Sequence, residues 1–152
     1  MYRKILVPID GSPTAQRGLQ EALSLAQATR ATLLLLHVID TMPVPLEMVT
    51  ATTWENVAEG LRKHGEAILE RARRSAAELG VAAETKLAEV GAERVADTIV
   101  AQAREAGCDL VVMGTHGRRG FSHVVLGSDA ERVVRRCSMP VLLVRHPDAP
   151  RG

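Results

Sequence analysis

The sequence predicts an α/β fold in which a single doubly wound, five-stranded parallel sheet carries helices on both faces. Short, continuously apolar segments alternate with longer segments whose apolar residues recur at helical spacing, in the order β-α-β-α-β-α-β-α-β. Strands that are apolar along their whole length are typical of a parallel sheet covered on both sides. The common order for five such strands is 3-2-1-4-5, which makes strands 1 and 4 neighbours.

Length and composition fit one ordinary globular domain. The chain has 152 residues, of which 46% are hydrophobic and 24% charged. A domain of this size buries roughly 70% of the surface that its unfolded chain exposes. The sequence shows no internal repeat and no sign of a second domain, so residues 1–146 are predicted to form one domain and residues 147–152 a flexible C-terminal tail.

Charge and rare residue types argue against several classes of protein. The net charge is +1 and there is one each of Trp, Tyr and Phe, so neither nucleic acid nor a membrane surface is indicated as a partner. Cys108 and Cys137 lack the spacing of a metal or redox motif and are predicted to be small buried apolar residues. The N-terminus leads straight into a strand-like segment, and no apolar run approaches a membrane span, so a cytoplasmic protein is expected.

A helix is predicted between the first two strands in the sequence, and its first residue is well defined. Residues 5–9 are predicted to form the first strand, and residues 32–38 the second. Ser12 followed by Pro13 is typical of a helix N-cap and the first helical residue, because the serine oxygen accepts a backbone N–H and proline needs none. The first helix is therefore predicted to begin directly after a short turn.

A long second helix follows a proline-containing loop. Residues 39–53 are predicted to be that loop and residues 54–79 the helix, which ends where Gly80 takes the position of a C-terminal cap glycine. The residues predicted to share its apolar face are Val57, Leu61, Ile68, Ala72, Ala76 and Leu79.

Three strands and two helices make up the rest of the chain. Residues 81–90 alternate loosely and are predicted to be the third strand, near a sheet edge. A third helix ends at Gly107, and residues 109–113 form the fourth strand. Residues 130–137 belong to the fourth helix, and residues 141–144 form the last strand, at the other edge of the sheet.

The glycine-bearing connection after the fourth strand is the candidate ligand site. Gly114 and Gly117 are followed nine residues later by Gly127 and Ser128, at the start of a helix. Glycine lets a backbone approach a ligand closely, and a helix N-terminus offers unpaired N–H groups that suit a phosphate. In the predicted strand order this loop faces the turn at Asp10, at the point where the winding direction reverses and such sheets bind ligands.

Four familiar phosphate or nucleotide sites do not match these residues. A Walker A loop needs a lysine after its last glycine, and none follows here. A dinucleotide fingerprint needs GxGxxG after the first strand, whereas these glycines are spaced differently and follow the fourth. A flavin site would need aromatic rings in the loops, and a phospho-acceptor domain would need paired acidic residues after strand 1.

The pattern Gly114-x-x-Gly117, nine residues, then Gly127-Ser128 resembles the ATP-binding motif of the universal stress protein family. The resemblance covers essentially the whole chain, including the opening segment 4–12, the strand end 36–38 and the closing segment 137–144. It implies a Rossmann-like fold similar to that of the adenine nucleotide alpha hydrolases. It also implies membership of the branch of the family that binds ATP.

The resemblance further implies which residues contact the nucleotide. Backbone around Val38 would meet the adenine edge, and Met113 with Gly114 would approach the adenosine. Gly117, Gly127 and Ser128 would receive the phosphates, accompanied by Mg²⁺. The residues predicted to bind the cofactor are Pro8, Ile9, Asp10, Val38, Met113, Gly114, His116, Gly117, Arg118, Gly127, Ser128 and Asp129.

Several of these residues have more than one interpretation. Asp10 suits a ribose contact or a ligand behind Mg²⁺, and equally a turn residue bonded to its own backbone. Ser128 suits a helix N-cap or a phosphate contact. Arg118 could reach a phosphate or lie at a solvated loop tip, and His116 is better explained as exposed or hydrogen-bonded than as catalytic. Asp129 departs from the small or apolar residue usual in the family, and its carboxylate would repel a nearby phosphate while favouring the helix dipole.

The function that the sequence favours is a nucleotide-dependent regulatory or interaction protein of the stress response. Nothing in the loop is an evident base for activating water, so at most weak ATP hydrolysis is expected. A nucleotide-independent interaction module and a binder of AMP, ADP or a cyclic nucleotide are the alternatives. The apolar strand at residues 141–144 would be covered by the same strand of a second copy, and the family resemblance also implies such a homodimer.

Overall fold

The computed structural model describes residues 1–41, 50–116 and 126–146, and the predicted tail lies outside these ranges. It confirms the α/β fold and the strand order: five strands run in the order β3-β2-β1-β4-β5, with every neighbouring pair parallel. The elements are β1 (Lys4–Pro8), α1 (Pro13–Thr29), β2 (Thr32–Asp40), α2 (Ala51–Glu78), β3 (Ala83–Val90), α3 (Val95–Glu105), β4 (Leu110–Gly114), α4 (Ser128–Arg136) and β5 (Val141–Val144).

Two apolar layers cover the sheet. Successive side chains of a strand point to opposite faces, so Val7 of β1 and Leu35 of β2 join the layer that contains residues of α1 and α2. Leu6 and Leu36 belong to the other layer, with residues of α3 and α4. Each of these four side chains is fully buried. The continuous apolar runs in the sequence are explained by this two-sided burial.

The local signals at helix ends are confirmed at three positions. The side-chain oxygen of Ser12 accepts the N–H of Ala15 at 3.2 Å, and Pro13 is the first residue of α1. Gly80, just after α2, has a φ of +67°, a conformation that residues with a side chain rarely adopt.

Three details of the predicted elements are wrong. Helix α2 begins at Ala51 and not at residue 54, because Thr50 caps it by accepting the N–H of Thr53 at 3.3 Å. Leu79 was predicted to lie on the apolar face of that helix but is 48% exposed, at the helix end. Strand β2 continues two residues further than predicted, since its parallel register with β3 runs on to Asp40 opposite Val90.

Both cysteines pack in the layer formed by α3 and α4, and both are free thiols. Cys108 is buried as predicted, whereas Cys137 is only half-buried. Burial raises the pKa of the Cys108 thiol to about 11, so that it stays protonated near neutral pH. Among the helices of the described ranges, none has the length and apolar character needed to cross a membrane.

A buried histidine fits against α2 only because that helix has a glycine beside it. His37 lies on β2, and its Nδ1 is 2.7 Å from the carbonyl oxygen of Ile9, which fixes the ring. A Cβ added to Gly65 would lie 2.6 Å from Cδ2 of His37 and 2.7 Å from Cδ1 of Leu87. The missing side chain at Gly65 thus sets how closely α2 approaches the sheet.

We expect Gly65→Ala to destabilise the protein by about 1–3 kcal/mol, the usual cost of overpacking a core. The matched control is Gly60→Ala, in the same helix, where an added Cβ meets nothing within 4 Å. That change should stabilise by about 0.5–1 kcal/mol through helix propensity alone. Urea unfolding of both variants measures the difference, and an equal gain in both would contradict the tight contact.

Candidate functional site

A cavity of about 740 Å³ opens beside the carboxyl ends of the strands. It lies beyond the ends of β1 and β4, which pair side by side with Ile5 opposite Leu110 and Leu6 opposite Val111. Gly117 and Arg118 are outside the described residues. The ten other residues predicted from the sequence as cofactor contacts all line this cavity, namely Pro8, Ile9, Asp10, Val38, Met113, Gly114, His116, Gly127, Ser128 and Asp129.

The turn after β1 holds Asp10 at the cavity by a local hydrogen bond. Its carboxylate oxygen Oδ1 accepts the backbone N–H of Ser12 at 2.8 Å. The interpretation of Asp10 as a turn residue bonded to its own backbone is therefore correct. The same residue also lines the cavity, so that the turn presents a carboxylate to whatever occupies it.

The first glycine of the loop contacts the backbone of α1. A Cβ on Gly114 would lie 2.7 Å from the carbonyl carbon and oxygen of Thr14, and a Cβ on Gly18 would lie 3.2 Å from the Gly114 nitrogen. The sequence interpretation placed Gly114 against the adenosine alone. The structure adds a second reason for glycine there, because any side chain would push the first turn of α1 away from β4.

Thr115 ties together three elements around the cavity. Its N–H donates to the carbonyl of Val144 at the end of β5 at 3.0 Å, and its own carbonyl accepts the N–H of Gly127 at 2.8 Å. Its hydroxyl lies 3.0 Å from Nδ1 of His116. The residue is buried, so its hydrogen bonds join the sheet edge to the start of α4 within the protein interior.

The start of α4 differs from the prediction by one residue. Ser128 was predicted as the N-cap, but it is the first helical residue, and the cap is Gly127, without a side-chain hydrogen bond. Gly127 takes that place because a Cβ there would lie 2.9 Å from the carbonyl oxygen of Thr115. The first turn of α4, whose N–H groups have no acceptor within the helix, therefore begins beside the cavity, where Ser128 and Asp129 form part of the lining.

The described lining is rich in negative charge. Carboxylates near a bound phosphate would raise the free-energy cost of binding it unless a cation accompanied it. Within the described ranges no group of three or more His, Cys, Asp or Glu side chains could hold a metal alone. The carboxylates nevertheless fit Mg²⁺, which proteins often bind through one or two carboxylates plus phosphate oxygens. The charged residues of the lining are four acids, Asp10, Asp40, Glu93 and Asp129, and one base, Arg94.

An ion-pair cluster fixes α4 against α3. Nε of Arg132 lies 3.2 Å from Oδ1 and 3.3 Å from Oδ2 of Asp97, and Nη1 of Arg136 lies 3.0 Å from Oδ1. The hydrogen bond from Arg132 and the charges of both arginines lower the pKa of the Asp97 carboxyl. The helix whose N-terminus borders the cavity is therefore held from its side by charge-assisted hydrogen bonds.

Comparison with known proteins assigns the chain to a family. The sequence model described as the universal stress protein family matches residues 1–145. The chain belongs to the universal stress protein family. A universal stress protein of Methanocaldococcus jannaschii is 34% identical, over 97% of this chain and 84% of its own length.

Two solved structures of universal stress proteins resemble this one along almost the whole chain. The protein from Burkholderia pseudomallei has a TM-score of 0.77 and 34% identity, covering 94% of this chain and 96% of its own. A universal stress protein in complex with cAMP has a TM-score of 0.67 and 26% identity, covering 95% and 97% of the two chains.

Four residues that support the site of this universal stress protein were not singled out from the sequence. They act through hydrogen bonds to residues far along the chain: Thr14 donates its hydroxyl hydrogen to the carbonyl of His116, 102 positions away. No sequence spacing predicts such pairs. The position of Thr115 directly after Gly114, within the glycine motif, is only a weak indication that it has a role. The four residues are Thr14, His37, Asp97 and Thr115.

We expect Asp97→Asn to lower the free energy of unfolding near neutral pH, because it removes the charge that both arginines contact. The folded-state pKa of Asp97 lies below its unfolded value, so its contribution is complete above about pH 4 and is lost as the pH falls through the folded pKa. The stability difference between wild type and variant should therefore shrink in acid.

Urea unfolding at a series of pH values measures this difference. The control is Glu105→Gln, on the same helix, where the carboxylate accepts only the Gln102 side-chain amide among the hydrogen bonds described for it. A difference for Asp97→Asn that stays constant from pH 7 down to about pH 2 would contradict the ionic contact.

Proposed function

We propose that this universal stress protein binds ATP, with Mg²⁺ on the phosphates, and acts as a nucleotide-dependent regulatory protein. The observation that carries the proposal is the cavity at the carboxyl ends of the neighbouring strands β1 and β4, bordered by the N-terminus of α4. Its volume of about 740 Å³ falls within the range of roughly 300–1,000 Å³ usual for small-molecule sites.

The two ends of the cavity suit the two ends of an adenine nucleotide. Val38 and Met113 offer apolar surface and strand-end backbone for adenosine, and Asp10 offers a carboxylate for the ribose hydroxyls. Gly127 and Ser128 stand at the start of α4, where backbone N–H groups and the helix dipole favour an anion. The cAMP complex of a universal stress protein with the same fold supports recognition of an adenine nucleotide.

A nucleotide with fewer negative charges is the second candidate ligand. Four carboxylates against one guanidinium among the described charges of the lining disfavour a triphosphate without a cation. AMP or a cyclic nucleotide would meet less repulsion at Asp129. Titrations with and without Mg²⁺ separate the two candidates.

We expect isothermal titration calorimetry to show that the wild-type protein binds ATP more tightly with Mg²⁺ than without. Asp129→Asn should raise the affinity for Mg²⁺-free ATP by about three- to ten-fold, because it removes one negative charge beside the proposed phosphate contacts at Gly127 and Ser128. Adenosine affinity should not change. Glu131→Gln is the matched control, since Glu131 is the other acid in the first turn of α4 and is absent from the cavity lining among the described residues.

Three results would count against parts of this proposal. Failure of ATP, AMP, cAMP and adenosine to bind would reject nucleotide recognition altogether. Tighter binding of AMP or cAMP than of Mg²⁺-ATP would favour the second candidate. Equal gains in ATP affinity from Asp129→Asn and Glu131→Gln would place the phosphates away from Asp129.

We further propose that two copies pair through β5. This strand is the last in the sheet, and among the described strands it pairs only with β4. Leu142 on β5 is 37% exposed and Val134 on α4 is 46% exposed. An apolar edge strand pairs readily with another strand, and a two-fold axis lets the same edge cover itself.

We expect Leu142→Glu to convert a dimer into a monomer, because it places a charge in each copy of the apolar edge. Leu79→Glu is the control, since Leu79 is also an exposed leucine, at 48%, but lies at the end of α2. Sedimentation velocity measures both variants beside the wild type. A monomeric wild type, or a Leu142→Glu variant that is still dimeric, would reject pairing through β5.

A further inference from the structure

Thr14 makes a hydrogen bond that helix geometry alone does not require. It lies in the first turn of α1, and its hydroxyl donates to the carbonyl of His116, just beyond β4. A threonine further along a helix commonly bonds the carbonyl four residues back, as Thr29 does to Leu25 at 2.8 Å. The residue four positions before Thr14 precedes the helix, so its hydroxyl bonds across to another element.

Local contacts fix the position of the first turn of α1, which carries Thr14. Pro13 fixes the backbone at the first helical position, and Ser12 caps the helix by accepting the N–H of Ala15. The hydroxyl oxygens of Ser12 and Thr14 are 3.4 Å apart. The backbone of Thr14 also touches Gly114, where an added Cβ would lie 2.7 Å from it. Thr14 therefore approaches the end of β4 with both its backbone and its side chain.

The group that Thr14 holds is itself packed against the start of α4. A Cβ on Gly127 would lie 3.3 Å from the Cα of His116 and 2.9 Å from the carbonyl oxygen of Thr115. Gly127 also donates its N–H to that carbonyl. Residues 115–116 thus contact the N-terminus of α4 directly. Thr14, on α1, is hydrogen-bonded to the same two-residue segment.

Thr14 does not line the cavity among the described residues, whereas its neighbour Ala15 and its partner His116 do. Any effect of Thr14 on a ligand must therefore pass through the backbone that it holds. That backbone leads to Gly127 and Ser128, at the phosphate end of the proposed site. The adenosine end, around Val38, has no hydrogen bond to Thr14 among those described.

We infer that Thr14 is a positioning residue for the phosphate end of the cavity, an inference that rests on the proposed nucleotide-binding function. Its hydroxyl fixes the carbonyl of His116. The backbone of residues 115–116, against which Gly127 packs at the start of α4, is thereby fixed as well. Loss of the hydroxyl weakens the binding of phosphate-bearing ligands and leaves adenosine binding unchanged. A residue with only a structural role would affect both ligands alike.

The test is calorimetric titration of Mg²⁺-ATP and of adenosine into the whole protein and three variants. Thr14→Val has nearly the same shape without the donor, and Thr14→Ser keeps the hydroxyl. Thr29→Val is the matched control, because it removes a threonine hydrogen bond from the same helix far from the cavity. Thr14→Val should weaken Mg²⁺-ATP by about three- to ten-fold, the effect of one lost hydrogen bond. Adenosine affinity should change by less than about two-fold.

Each remaining outcome decides for or against the inference. Thr14→Ser and Thr29→Val should keep the wild-type ratio of the two affinities. Equal weakening of both ligands by Thr14→Val, or no weakening, overturns the positioning role while nucleotide binding by the wild type stands. A wild type that binds no ligand rejects the proposed function, and the inference with it. If circular dichroism shows that Thr14→Val does not fold, Thr14→Ala takes its place: a loss selective for Mg²⁺-ATP supports the inference, and equal or no weakening of the two ligands overturns it.

Discussion

The close approach of α1 to the carboxyl end of β4 is the constraint on which the site depends. Two glycines make it possible: Gly18 lets the helix backbone come near Gly114, and Gly114 leaves room for the backbone of Thr14. Because backbone meets backbone, the distance between α1 and the end of β4 is set by van der Waals contact of main-chain atoms. Gly114 and Ala15, on the two sides of this contact, both line the cavity.

From that contact, hydrogen bonds extend the fixed geometry to the sheet edge and to α4. The carbonyl of Thr115 accepts the N–H of Gly127, and the N–H of Thr115 donates to the carbonyl of Val144. The start of α4 and the end of β5 are therefore both hydrogen-bonded to the same residue. Asp97 then holds α4 from its flank. The start of α4, which borders the cavity, and the edge strand β5 are thus joined through the hydrogen bonds of Thr115.

The sequence predicts the parts of this arrangement that local chemistry controls. Strand order follows from apolar runs and the winding rule, and the boundaries at Pro13 and Gly80 follow from their backbone preferences. The sequence does not predict the start of α2, because the first turn of this helix is exposed and its apolar residues do not recur at helical spacing. The cap of α4 was misplaced because a tertiary contact, the carbonyl of Thr115 against Gly127, decides it. The bond from Thr14 to His116 joins residues too far apart for any local pattern to show.

The fold and the lining residues would control different properties of a nucleotide bound in the proposed site. The strand order and the N-terminus of α4 determine where an anion can lie, since the helix end carries about half a positive charge. That partial charge is small beside the carboxylates of the described lining, of which Asp129 stands on the same helix turn. The balance becomes favourable when a divalent cation joins the phosphates or when the ligand carries fewer of them. If the proposed site binds a nucleotide, the charge of that ligand would therefore be selected by side chains that the fold does not require.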